Sequence, residues 1–130
     1  MFNFDHISIS VDNLEETIMF YKKFGFELYK EYHDEVIDIV MLKFNEIFME
    51  IFHYKENNPL PEFSKDIDKD LRTIGAKHFG FNVKDINEAK KWAEENLTNE
   101  EIVIHHGRLG CDYFFVKDPN GIFVEIIEKR

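Results

Sequence analysis

Asp118-Pro119-Asn120-Gly121-Ile122-Phe123-Val124-Glu125-Ile126-Ile127 is a tight turn feeding an apolar strand that carries one carboxylate. Pro119 presets φ, and Asn120 and Gly121 tolerate positive φ, so a strand is predicted to begin at Ile122. Side chains alternate along a strand, which places Ile122, Val124 and Ile126 on one face and Phe123, Glu125 and Ile127 on the other. An ionised carboxylate among apolar neighbours is costly unless it is paired, hydrogen-bonded or bound to a metal. Glu125 therefore needs a partner elsewhere in the chain.

Upstream, residues 4–11 read as a strand, with Ile7, Ile9 and Val11 on one face and His6, Ser8 and Ser10 on the other. Asn13-x-x-Glu16 is a capping-box signature, and Leu14, Ile18, Tyr21 and Phe24 form an apolar stripe ahead of Gly25, so a helix is predicted over 14–24. Three strands follow, near 26–33, 36–44 and 47–54, with turns at His33-Asp34-Glu35 and Asn45-Glu46. Residues 55–75 read as a linker broken by Pro59 and Pro61, with one short helix around Ser64 to Arg72.

After the linker the chain repeats itself. His78, Val83, Ile86 and Glu88 lie 72 residues after His6, Val11, Leu14 and Glu16, and Asp85-x-x-Glu88 restates the capping box. Asn120, Ile122, Phe123, Glu125 and Ile126 lie 75 residues after Asn45, Ile47, Phe48, Glu50 and Ile51. Each half is thus a strand, a helix and three strands, and duplication of one unit is the simplest account. The expected organisation is a single domain with a first module over 1–54, the linker over 55–75 and a second module over 76–130.

The repeat superposes His6 on His78 and Glu50 on Glu125. Each His shares its face with small or polar residues, Ser8 and Ser10 in one half and Gly80 and Asn82 in the other, as a cavity wall would. Glu50 alternates with Phe48 and Phe52 as Glu125 does with Phe123 and Ile127. Taken singly, an inward His is more often a satisfied core residue and an inward Glu a salt-bridged one. Folding alone does not require both types to recur at equivalent positions. Two imidazoles and two carboxylates suit a divalent Zn, Ni, Co, Mn or Fe ion with positions left for water or substrate.

Composition narrows the partners. The chain has 130 residues, enough to bury roughly 65–70% of its unfolded surface. The 26 acidic residues outnumber the 16 basic ones, and no basic cluster carries interleaved aromatics, so neither nucleic acid nor an anionic membrane is expected as a partner. The lone Cys111 excludes an intrachain disulfide and reads as a small core residue in a reducing compartment. With the strand pattern starting at Phe2 and no apolar run near membrane-spanning length, a cytoplasmic protein is expected. The 14 Phe mostly reflect core packing.

The quoted segments together resemble the vicinal oxygen chelate superfamily, which includes glyoxalase I, bleomycin-resistance proteins, methylmalonyl-CoA epimerase and extradiol dioxygenases. The resemblance covers nearly the whole chain. It is carried by His6-Ile-Ser-Ile-Ser-Val, Phe20-Tyr21 with Phe24-Gly25-Phe26-Glu27, Met49-Glu50-Ile51-Phe52, Lys77-His78-Phe79-Gly80-Phe81, Asp118-Pro119-Asn120-Gly121 and Val124-Glu125. It implies an α+β fold of two tandem βαβββ modules with curved mixed sheets enclosing a cavity. It also implies metal ligation by His6, Glu50, His78 and Glu125, the positions matched in glyoxalase I relatives.

A complete His/Glu/His/Glu set in a chain of this length looks most like glyoxalase I (lactoylglutathione lyase) or a related isomerase. Extradiol dioxygenases resemble a two-His, one-carboxylate iron pattern, and bleomycin-binding relatives lack the ligands. Glutathione-using members commonly have an Arg four residues after the first His and an Asn four residues after the first Glu; Ser10 and Tyr54 stand there in this chain. The metal chemistry is thus implied without the glutathione-recognition pattern. Glu125 is the expected general base acting on a small-molecule substrate, with Glu50 as ligand and second proton carrier. His105, His106, Arg108 and Tyr113 lie near the last hairpin, within reach of substrate or on the surface. The alternative is a protein that sequesters a small aromatic or drug-like molecule without turnover. Family relatives further imply a homodimer with its sites at or near the interface, with modules paired within one chain or exchanged between chains.

Overall fold

In a computed structural model that describes all residues from Met1 to Arg130, the chain divides into two compact units, Met1–Pro59 and Leu60–Arg130. The first contains β1 (His6–Ser10), α1 (Leu14–Lys22), β2 (Glu27–His33), β3 (Ile37–Phe44) and β4 (Ile47–Tyr54). The second begins with a 3₁₀ turn at Glu62–Lys65 and a short helix, α2 (Ile67–Arg72). It continues through β5 (Phe79–Val83), α3 (Ile86–Asn96), β6 (His105–His106), β7 (Asp112–Lys117) and β8 (Phe123–Glu128). The sheet orders are β1-β4-β3-β2 and β5-β8-β7-β6. In each, the first strand runs parallel to the last and the hairpin pairs are antiparallel. The fold is therefore the expected α+β arrangement of two βαβββ units.

The caps form as their residues dictate. Asn13 Oδ1 accepts the Glu16 amide at 3.0 Å, and Asp85 Oδ1 accepts the amides of Asn87 at 2.8 Å and Glu88 at 3.1 Å, satisfying donors that a helix start leaves open. Helix α1 stops at Lys22, two residues before the predicted end, and Gly25 turns the chain at φ 110° against the Phe44 ring. Strand β8 starts at Phe123, one residue later than predicted, because the buried Asp118 holds the turn. Its Oδ1 accepts the amides of Asn120 at 2.8 Å and Ile122 at 3.0 Å.

Alternation assigns the sheet faces. Ile9, Val40, Leu42, Met49 and Ile51 are buried in the first unit with Thr17, Phe20 and Tyr21 of α1. In the second unit Phe114, Val116, Val124 and Ile126 are buried with Ile86 and Ala93 of α3, which packs on β7 and β8. Burying Val124 and Ile126 is worth about 2 kcal/mol each. A one-residue slip of β8 would expose both and drive Glu125 into the core, so the register that aims Glu125 away from the helix is fixed by packing.

At one end of the first unit's core face, three strands place His33, Asp38 and His53 in a row. The buried Asp38 accepts from His33 Nδ1 at 2.7 Å, His53 Nδ1 at 2.8 Å and Lys55 Nζ at 2.7 Å, and His33 Nε2 meets Glu31 at 2.7 Å. Hydrogen bonds from Lys55 foremost, then from the two imidazoles, hold the Asp38 carboxyl well below its usual range. Bonds to Glu31 and then Asp38 raise the His33 pKa. A raised imidazole pKa stabilises the fold below the unfolded value of about 6.5 and is lost as pH climbs through the folded value. The depressed carboxyl stabilises above its unfolded value of about 4 and is lost on acidification. Asp38→Asn is accordingly expected to lower the melting temperature by about 5 °C or more near pH 6. The gap from the unsubstituted protein should narrow toward pH 9 and again below pH 4, as pH-resolved thermal melts would show; a gap independent of pH would exclude the linkage.

Candidate metal centre

His6 opens β1, and its ring is oriented by its neighbour in sequence: Nδ1 donates to Asp5 Oδ2 at 2.7 Å. A carboxylate can only accept, so in the neutral ring the proton sits on Nδ1 and the Nε2 lone pair is free. That Nε2 faces Glu50 Oε1 at 3.9 Å. Parallel pairing sets Ser8 opposite Glu50, and the Ser8 hydroxyl donates to Glu50 Oε1 at 3.4 Å. The pair is open to solvent, with His6 41% and Glu50 26% exposed at the side chain.

The second unit repeats the arrangement. His78 Nε2 lies 3.2 Å from Glu125 Oε2, with both side chains about one-fifth exposed. His78 immediately precedes β5 instead of lying within a strand, and its ring packs edge-on against Phe115 with centroids 4.8 Å apart. Its Nδ1 is buried without a hydrogen-bond partner, so the orienting contact that Asp5 gives His6 has no counterpart here. Glu125 is half-buried on the face opposite Val124 and Ile126, as alternation predicts, and His78 is its partner.

Gly80 stands opposite Glu125 where Ser8 stands opposite Glu50. A Cβ at Gly80 would lie 3.2 Å from Glu125 Cβ and 3.4 Å from Oε2, so glycine leaves room for the carboxylate. Gly80→Ala is expected to displace it and, if Glu125 moves protons, to lower turnover about tenfold or more with secondary structure unchanged. Steady-state kinetics alongside circular dichroism measure this; full activity would show that the position of Glu125 is not critical.

Two donors each about 2.1 Å from one ion stand roughly 3.0 Å apart at octahedral angles and 3.4 Å apart at tetrahedral ones. The His78–Glu125 separation of 3.2 Å falls in that span, and the His6–Glu50 separation of 3.9 Å is slightly wider. Each imidazole nitrogen faces a carboxylate oxygen; both pairs suit a divalent ion in donor type, and the His78–Glu125 pair does so in spacing as well. No group of three or more His, Cys, Asp or Glu side chains is arranged to hold a metal. The structure thus brings His6 to Glu50 and His78 to Glu125, each pair within one unit.

Beside Glu125 the second unit has a cavity of about 600 Å³. Its lining includes His105, His106, Arg108 and Tyr113, the hairpin residues singled out from the sequence, and also Leu71 of α2 and Arg130, which the sequence did not flag. His106 is held by Asp112 at 2.7 Å and His105 packs on Tyr113 with ring centroids 5.6 Å apart. Asp5 and Ser8 were missed as orienting groups, though the adjacent Asp5-His6 pair and the polar face of β1 were visible signals.

The family model described as Glyoxalase/Bleomycin resistance protein/Dioxygenase superfamily matches residues 3–126. Among solved structures, a glyoxalase family protein from Enterococcus faecalis is 25% identical, with a TM-score of 0.77 over 95% of this chain and 94% of that one. A lactoylglutathione lyase from Agrobacterium tumefaciens is 23% identical, with a TM-score of 0.63 over 97% and 92%. The trypanothione-dependent glyoxalase I of Leishmania major is 18% identical, with a TM-score of 0.66 over 95% and 84%. No curated protein matches the chain. No helix is long and apolar enough to cross a membrane.

Proposed function

Because the chain belongs to the glyoxalase/bleomycin resistance protein/dioxygenase superfamily, we propose that it is a metal-dependent lyase or isomerase of the glyoxalase I type. The observation that carries this reading is the facing His–Glu pair in each unit. In this reading His6, Glu50, His78 and Glu125 are the ligands of the ion, and the cytoplasm is the compartment in which the protein works. When bound, a divalent ion polarises the adjacent oxygens of a chelated substrate and acidifies the C–H beside them.

The chain's own groups then move the proton. Glu125 Oε2 takes it from the substrate carbon, so that a C–H bond breaks and an O–H bond forms, and returns it to the neighbouring carbon. Phe115 and Phe123, which share the Glu125 face, limit water around the carboxylate. Glu50, held by Ser8, completes the ligand set and serves as the second proton carrier.

The substrate is a 2-oxoaldehyde–thiol adduct or a similar small molecule bearing two adjacent oxygens. The test is isomerisation of adducts formed from a 2-oxoaldehyde with a panel of thiols. Metal-bearing protein that turns over none of them while binding drug-like aromatics tightly would replace this reading with sequestration. We also propose a homodimer with its sites at or near the interface. If His–Glu pairs from two chains share a site, mixing inactive His6→Ala and His78→Ala chains under subunit exchange should restore activity, because one site of the heterodimer is then intact. A monodisperse, active monomer by light scattering would exclude the dimer.

A further inference from the structure

The chain is strongly acidic, and Lys55, Lys65 and Lys77 each lie beside a carboxylate. Arg108 and Arg130 make no ion pair, and both line the cavity beside Glu125. Arg108 sits on a closed turn, where the Gly107 amide donates to Cys111 O at 2.8 Å and the Gly110 amide to Gly107 O at 2.9 Å. The turn fixes the backbone that carries Arg108 beside the cavity. Tyr113, Ile127 and Leu71 supply apolar wall. Asp68 and Glu125 on the same lining oppose a ligand with several negative charges.

We infer that this cavity binds a small organic acid, one anionic group on an apolar body, with Arg108 and Arg130 taking the anion and the body lying along Tyr113 and Ile127 toward Glu125. The class of ligand follows from the lining: guanidinium groups pair a carboxylate with charge-assisted hydrogen bonds, and 600 Å³ lies within the usual range for small-molecule sites. That this acid is also the substrate rests on the isomerase reading; that the cavity binds it does not.

The probe is benzoate, compared with benzamide, which keeps the shape and removes the charge. Calorimetric titration of metal-stripped protein at low salt should show benzoate binding at least about tenfold tighter than benzamide, the advantage shrinking as salt is added. The Arg108→Gln/Arg130→Gln double variant should lower benzoate affinity to the benzamide level, while a double Lys variant retains part of the preference. Both arginines are exposed, so metal content should be unchanged. Equal binding of the two probes, no detectable benzoate binding, or full benzoate affinity in the double Gln variant would overturn the inference. If that variant fails to fold, the two-probe comparison and its salt dependence decide alone. Benzoate binding with no metal and no turnover would leave the acid-binding cavity standing and remove the isomerase reading. Turnover with indifference to benzoate would do the reverse.

Discussion

Replacing Glu125 with Gln is expected to lower turnover of the best thiol adduct by at least about 100-fold, because the amide keeps the shape of the side chain but cannot accept the substrate proton. The change falls on a half-buried side chain whose hydrogen-bond partner is His78, 3.2 Å away, and an amide oxygen still meets that ring. Folding should survive, and with excess metal keeping the site filled the loss should lie in kcat. Equal, moderate effects on binding and turnover would point to a carboxylate that only ligates, and full activity would remove Glu125 from the chemistry.

The second large effect is on metal content. His6→Ala removes the better-oriented imidazole and Glu50→Ala removes its facing oxygen. Loss of an orienting partner alone typically weakens a metal site 10–100-fold, so loss of a ligand should weaken it by more than about 100-fold. Elemental analysis of protein purified without a chelating column should find about one ion per site in the native protein and little in either variant. Added metal at 100 times Kd stabilises a folded protein by about 2.7 kcal/mol, so only the native melting curve should shift upward with it. Undiminished metal in either variant would sink the four-ligand site.

How much of this was legible follows from which forces act locally. Turn dipeptides, capping residues and alternation are written in adjacent positions, so the elements of the first unit and the start of β8 could be read to within two residues, and the faces of those strands with them. The repeat added what propensity cannot, equivalence between His6 and His78 and between Glu50 and Glu125. The Asp38 row was less visible, because it needs the registers of two hairpins at once, His33 opposite Asp38 and Asp38 opposite His53. The two-residue turn at Asn45-Glu46 sets the second of these and the longer one at residues 34–36 the first. Arg130 at the cavity was not legible, since its place depends on α2 and the β6–β7 hairpin, which no local pattern brings together. The missing partner of His78 Nδ1 is likewise a matter of packing and not of residue type.

The parallel pairing of the first and last strands of each unit sets an order of assembly. His78 and Glu125 are 47 residues apart along the chain, so their encounter closes a long loop, an entropic step that local helix and hairpin formation precede. Neither donor pair exists until the final strand of its unit docks. On the ribosome the first pair can form as soon as β4 has cleared the exit tunnel, before Glu125 has been synthesised. Slow, non-local strand closure, and not helix formation, then governs when each half becomes competent for a cation.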